Sequence, residues 1–136
     1  MSFGLWVLLL VSMAPAHAAS PASPAVDEFL AQKLQSWQKR LKLEDWNVTI
    51  TLTPRAALKP GTMGGIKWDK KKHTAVMAII APADYNMTEA AMLADMEFTI
   101  VHELVHLELA SLPKSEASRS NEEFAVNQLT DALLGR

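Results

Sequence analysis

The sequence contains no cysteine. That absence excludes disulfides, thiolate metal ligands, a thiol nucleophile and a sulfur-linked lipid anchor, so any metal must be held by histidine and carboxylate. Charge of one sign is also scarce. A net charge of −2 carries neither the basic footprint of a nucleic-acid binder nor an acidic tail. Five glycines and seven prolines are too few for a low-complexity chain, and no internal repeat is visible. Long hydrophobic runs are missing too. The longest, Leu5 to Ala14, is ten residues and too short to span a bilayer comfortably. What remains is 136 residues, 49% apolar and 21% charged, the balance and length of one globular domain.

The short apolar run has its own meaning. Pro15 breaks it, and Ala16-His17-Ala18 follows, with small residues flanking a variable one. This is the hydrophobic region and cleavage pattern of a secretory signal peptide, although Met1 to Gly4 supply no Lys or Arg. Residues 1–18 are therefore read as a signal peptide and 19–26, which include Ser20-Pro21-Ala22-Ser23-Pro24, as a flexible linker. The domain proper is expected over 27–136. Export without disulfides fits a bacterial periplasmic or secreted protein with no stable membrane association after cleavage.

Periodicity divides the domain. Leu30, Leu34, Trp37 and Leu41 recur at helical spacing and predict an amphipathic helix from about Asp27 to Lys42. From Trp46 to Thr53 large apolar and polar residues alternate, as in a strand with one buried face, and Pro54 ends it. Ile66 to Trp68 reads as a short strand, Asp69-Lys70-Lys71-Lys72 as a solvated turn, and His73 to Ala81 as a third β-prone run. Asn86 or Thr88 can cap a long helix to about Ser111, stopped by Pro113, and a last helix is expected from Asn121 to Leu134. The expected class is α+β: an N-terminal helix, a small antiparallel sheet of about three strands, and two helices.

Inside the long helix stands His102-Glu103-Leu104-Val105-His106, an HExxH motif. Residues four apart share one helix face, so the two imidazoles can converge on one ion, with Glu103 beside it to polarise a water. Zinc suits such a site because it keeps an open coordination position and brings a bound water's pKa towards neutrality. The surrounding Ile100, Val101 and Leu107 are apolar, and a polar trio in such a helix is costly unless partnered.

A third protein ligand is needed. The extended pattern HExxHxxGxxH fails here, because Leu109 and Leu112 occupy its glycine and histidine positions and no histidine follows His106. The ligand is therefore expected to be a carboxylate. Glu108 points to another face, Glu116 falls in the connection, and Asp131 lies two turns along the last helix. Glu122 and Glu123 open that helix. Glu122 shares a stripe with Val126, Leu129 and Leu133, whereas Glu123 leans towards Asn127 and Thr130 and pairs with Ser120 as a capping box. This pattern favours Glu122, with Glu123 as the alternative.

These features resemble the gluzincins, in which an HExxH helix is followed by a second helix that supplies a glutamate. Asn121-Glu122 is similar to the pair that opens that helix in thermolysin-like enzymes, and the short chain resembles minimal gluzincins and short phage- and bacterial-type metallopeptidases. The matching segments, Ile100 to Ala110 and Glu122 to Leu134, cover about a fifth of the chain. The resemblance implies a zincin-like domain, one zinc ion and hydrolysis of peptide or protein substrates. In it Glu103 would be general base, and a sheet edge within Gly64 to Ala81 would bind substrate as an added strand. Tyr85 and His73 are the candidates for stabilising the oxyanion. The connection from His106 to Glu122 is shorter than in thermolysin-like enzymes, and no large C-terminal subdomain builds a far wall. Two other classes therefore compete: a zinc-binding module that is latent until a partner completes it, and a metal-free secreted interaction domain.

Overall fold

The computed structural model describes residues 24–110, 112 and 116–136, excepting the side chains of 116–120. The signal peptide and most of the linker lie outside the described residues. Helix α1 spans Pro24–Arg40, so the helix takes in the end of the expected linker. Its buried residues Val26, Leu30 and Trp37 follow the helical stripe, with Leu34 partly buried alongside. It ends where Lys42 N–H donates to the Lys39 carbonyl at 3.2 Å and Leu43 N–H to that of Gln38 at 2.8 Å. This double bond pattern satisfies the last carbonyls and requires the left-handed backbone seen at Lys42, φ 55°.

Three strands follow: β1 (Asn47–Thr53), β2 (Gly64–Asp69) and β3 (Thr74–Ile80). The order is β1-β3-β2, with β3 parallel to β1 and antiparallel to β2. The sheet is mixed rather than antiparallel. The expected antiparallel arrangement fails because β3 lies beside β1 and runs parallel to it. The segment between Thr53 and Gly64, which includes a 3-10 turn at Arg55–Ala57, is long enough to carry the chain past a vacant slot. β3 then fills that slot, and its run Thr74-Ala75-Val76-Met77-Ala78-Ile79-Ile80 is the most continuously apolar, as a central strand requires.

Helix α2, Glu89–Leu109, lies across the sheet and is capped by Thr88, whose hydroxyl accepts from Ala91 N–H at 3.3 Å. Met96, Ile100, Val101 and Leu104 are fully buried between it, the sheet and α1. β2 approaches α2 at Gly64, where a Cβ would stand 2.5 Å from the Ala78 carbonyl oxygen and 2.7 Å from Thr99 Cγ2. Helix α3, Glu116–Leu134, packs along α2. Its buried residues are Val126 and Thr130, while Phe124 and Leu129 are exposed. Of the expected stripe, Val126 is buried and Leu133 packs partly buried on the core, while Leu129 is turned out. No described helix is long and apolar enough to cross a membrane.

Candidate metal centre

His102 and His106 are one turn apart on α2, with ring centroids separated by 4.9 Å. Glu123 reaches both from α3. Its Oε2 lies 3.4 Å from His102 Nε2 and its Oε1 2.6 Å from His106 Nε2. Donor atoms of the three residues lie within 4.8 Å of one another, and together they can hold a metal ion. Two ligands bound to zinc at about 2.0–2.1 Å in a tetrahedron stand about 3.3–3.4 Å apart. The His102–Glu123 separation matches that edge, whereas the shorter His106–Glu123 contact is a direct imidazole–carboxylate hydrogen bond.

A second observation concerns the outer side of the site. His102 Nδ1 is buried without a hydrogen-bond partner. An orphaned buried ring nitrogen costs stability. The ring turns its other nitrogen towards Glu123, so the described residues give His102 no outer partner of the kind a metal-ligating imidazole ordinarily has.

The sequence preferred Glu122 to Glu123, and here the structure differs. Glu122 Oε2 lies 3.8 Å from His106 Nδ1, the ring nitrogen that does not face the group. The reason is the rotation of α3 about its axis. The helix begins at Glu116, not Asn121, so Ser120 lies within it and not at its N-terminus. The buried stripe then runs through Val126 and Thr130, and it carries Glu123 and Asn127 towards α2.

Glu103 is 7% exposed and lines a cavity of about 390 Å³ together with the two histidines and Glu123. Burial, and secondarily the charge of Glu123, pushes its carboxyl up to about 7. The His102 imidazole moves the other way. Burial and then the neighbouring His106 lower its pKa, against the opposing pull of Glu123. A neutral imidazole is the form that binds metal.

Tyr85 and His73, the expected oxyanion partners, are elsewhere. The Tyr85 hydroxyl donates to Asp95 at 3.0 Å, and burial followed by the Asp95 charge raises its pKa. His73 pairs with Asp45 at 3.1 Å and stacks on Trp46 at 4.8 Å. Neither lines the cavity. Residues that the sequence did not single out do: Phe98, Thr99, Asn127 and the loop from Gly61 to Gly65. Asn127 also hydrogen-bonds His102. Its only sequence signal is its place one turn after Glu123.

Comparison with protein-family models, curated proteins and solved structures finds no match to this chain.

Proposed function

We propose that the chain is an exported zinc-dependent peptidase of the gluzincin kind, with one zinc held by His102, His106 and Glu123 and with Glu103 as general base. The observation that carries this reading is a convergence. The HExxH pair of α2 and a carboxylate of α3 meet on the wall of a cavity that Glu103 also lines. Bound zinc would polarise the substrate carbonyl and acidify the attacking water. Glu103 accepts the water's proton and returns it to the leaving amine. A carboxyl pushed up to about 7 suits both halves of that task, because it exchanges a proton near neutral pH. β2 is an edge strand, and Gly64 and Gly65 line the cavity, so an extended peptide pairing with β2 passes beside the histidines. Export rests on the pattern from Leu5 to Ala18.

One observation favours the second reading, a zinc-binding module that needs a partner. The described cavity lining has no Lys, Arg or Tyr to stabilise an oxyanion. Thr62 and Thr99 line it, but their hydroxyls already donate to the carbonyls of Lys59 and Asp95. The Asn127 amide is the remaining side-chain donor besides the histidines.

The test is metal content by elemental mass spectrometry, followed by mass-spectrometric analysis of a mixture of synthetic peptides. About one zinc per chain, lost in His106→Ala, together with peptide cleavage that Glu103→Gln abolishes without loss of zinc, is expected. Zinc without cleavage supports the partner-dependent module. Absence of zinc after incubation with a modest excess refutes both zinc readings.

A further inference from the structure

Two helices each present a pair of polar side chains to the cavity, His102 and His106 from α2, Glu123 and Asn127 from α3. The members of each pair are one turn apart. Glu123 has a task in the metal group. Asn127 has none, although it lines the same cavity and hydrogen-bonds His102.

That bond falls on a defined atom. His102 Nδ1 has no hydrogen-bond partner, so the amide of Asn127 meets Nε2, the nitrogen that also faces Glu123. Nε2 is the atom that this ring would offer to a metal. An imidazole nitrogen bound to metal carries neither a proton nor a free lone pair. The amide can then neither accept from it nor donate to it, and is released beside the metal group while α3 still holds it on the cavity wall.

The cavity has few other donors. Lys, Arg and Tyr are absent from its described lining, and Arg136, whose guanidinium carbon stands 5.6 Å from the Phe98 ring centroid, is not a lining residue. The hydroxyls of Thr62 and Thr99 are committed to the carbonyls of Lys59 and Asp95, at 2.6 and 3.1 Å, and Thr62 N–H also donates to Lys59. Glu103 and Glu123 add acidic groups, so negative charge that develops in this cavity needs a donor to meet it.

We infer that Asn127 is a catalytic residue, donating a side-chain N–H to the oxyanion of the tetrahedral intermediate. The inference rests on the peptidase reading. A carboxamide suits the task because it donates without a charge to lose. The role is separable from merely holding the His102 ring. An acceptor for that ring is supplied by aspartate as well as by asparagine, whereas aspartate cannot donate to an oxyanion when ionised.

The experiment uses the zinc-loaded chain and its Asn127→Ala and Asn127→Asp variants. Asn127 is exposed and alanine is the better helix former, so α3 is retained. Calorimetry measures binding of two peptide analogues, a phosphinic peptide, whose tetrahedral anion has the shape and charge of the intermediate, and a thiol peptide, which brings a single sulfur. In Asn127→Ala the phosphinic peptide should bind about 100-fold more weakly, with the thiol peptide within about 3-fold of the parent. Asn127→Asp should lose at least as much phosphinic binding. Zinc affinity of Asn127→Ala, read by chelator competition, should stay within about 3-fold, because the amide is not a ligand.

Equal losses for the two analogues, phosphinic binding kept in Asn127→Asp, or a parent that binds the thiol peptide but not the phosphinic one each overturn the assignment. So does a fall in zinc affinity of about 10-fold or more in Asn127→Ala. In cleavage assays Asn127→Ala should lower kcat about 100-fold with KM little changed, and a rise in KM alone contradicts the role. Phosphinic binding that depends on Asn127, with no cleavage of any peptide, keeps the donor and removes the peptidase reading. A chain that takes up no zinc removes both.

Discussion

Removing one charge at Glu103 should stabilise the metal-free protein, and the gain should depend on pH. The carboxyl is pushed from 4.5 up to about 7, first by burial and then by Glu123. A folded-state pKa above the unfolded one means that the native chain holds its proton more tightly. Ionisation therefore opposes folding: the cost is absent below about 4.5, grows through the interval, and is complete above about 7. Its full size is about 3 kcal/mol, from 1.36 kcal/mol per pKa unit. Glutamine has the same shape without the charge. In the presence of chelator, Glu103→Gln should be more stable than the parent by up to about 3 kcal/mol at pH 8 and by little at pH 4.5. Urea unfolding at both pH values measures this, with the m-value as a check that the denatured state is unchanged. A variant no more stable than the parent at pH 8, or a gain of equal size at both pH values, would refute the argument that the burial of this carboxylate is what raises its pKa.

The two neighbouring glutamates separate by zinc affinity. Glu123→Gln should weaken zinc binding by about 100-fold or more, and Glu122→Gln by clearly less, as read by competition with a zinc chelator; the reverse order contradicts the geometry of α3. Gly64→Ala should destabilise the fold by about 1–3 kcal/mol in urea, because its Cβ meets the Ala78 carbonyl oxygen and Thr99 Cγ2. Gly65→Ala, whose Cβ meets open space, should stay within about 0.5 kcal/mol, and equal losses at the two positions would show that the contact with α2 is not the cause.

Helices α1 and α2 were legible because their evidence is local. An apolar residue recurring at Leu30, Leu34 and Trp37, or a Thr88 cap before a long apolar stretch, specifies structure over one or two turns. The three strands were legible as β-prone runs for the same reason. Their adjacency was not, because β1 and β3 pair across more than twenty residues, and no local pattern distinguishes a neighbouring slot from a vacant one. The α3 register failed on its boundary. Ser120 and Glu123 match a capping box in sequence, yet the helix starts before them at Glu116.

The candidate site divides along the same line. By itself the sequence determined that His102 and His106 share a helix face, that Glu103 stands beside them, and that any third metal-binding side chain after His106 could be only a carboxylate, since no cysteine and no later histidine exist. The helical repeat and the residues available admit nothing else. Only the tertiary structure brought Glu123 to the two histidines as a group that could hold a metal, made Asn127 and Phe98 walls of the cavity, and laid Arg136 over Phe98. Those outcomes depend on how α3 rotates about its axis when Val126 and Thr130 are buried against α2. Packing between distant segments sets that rotation, and hydrogen bonds within a single helix do not.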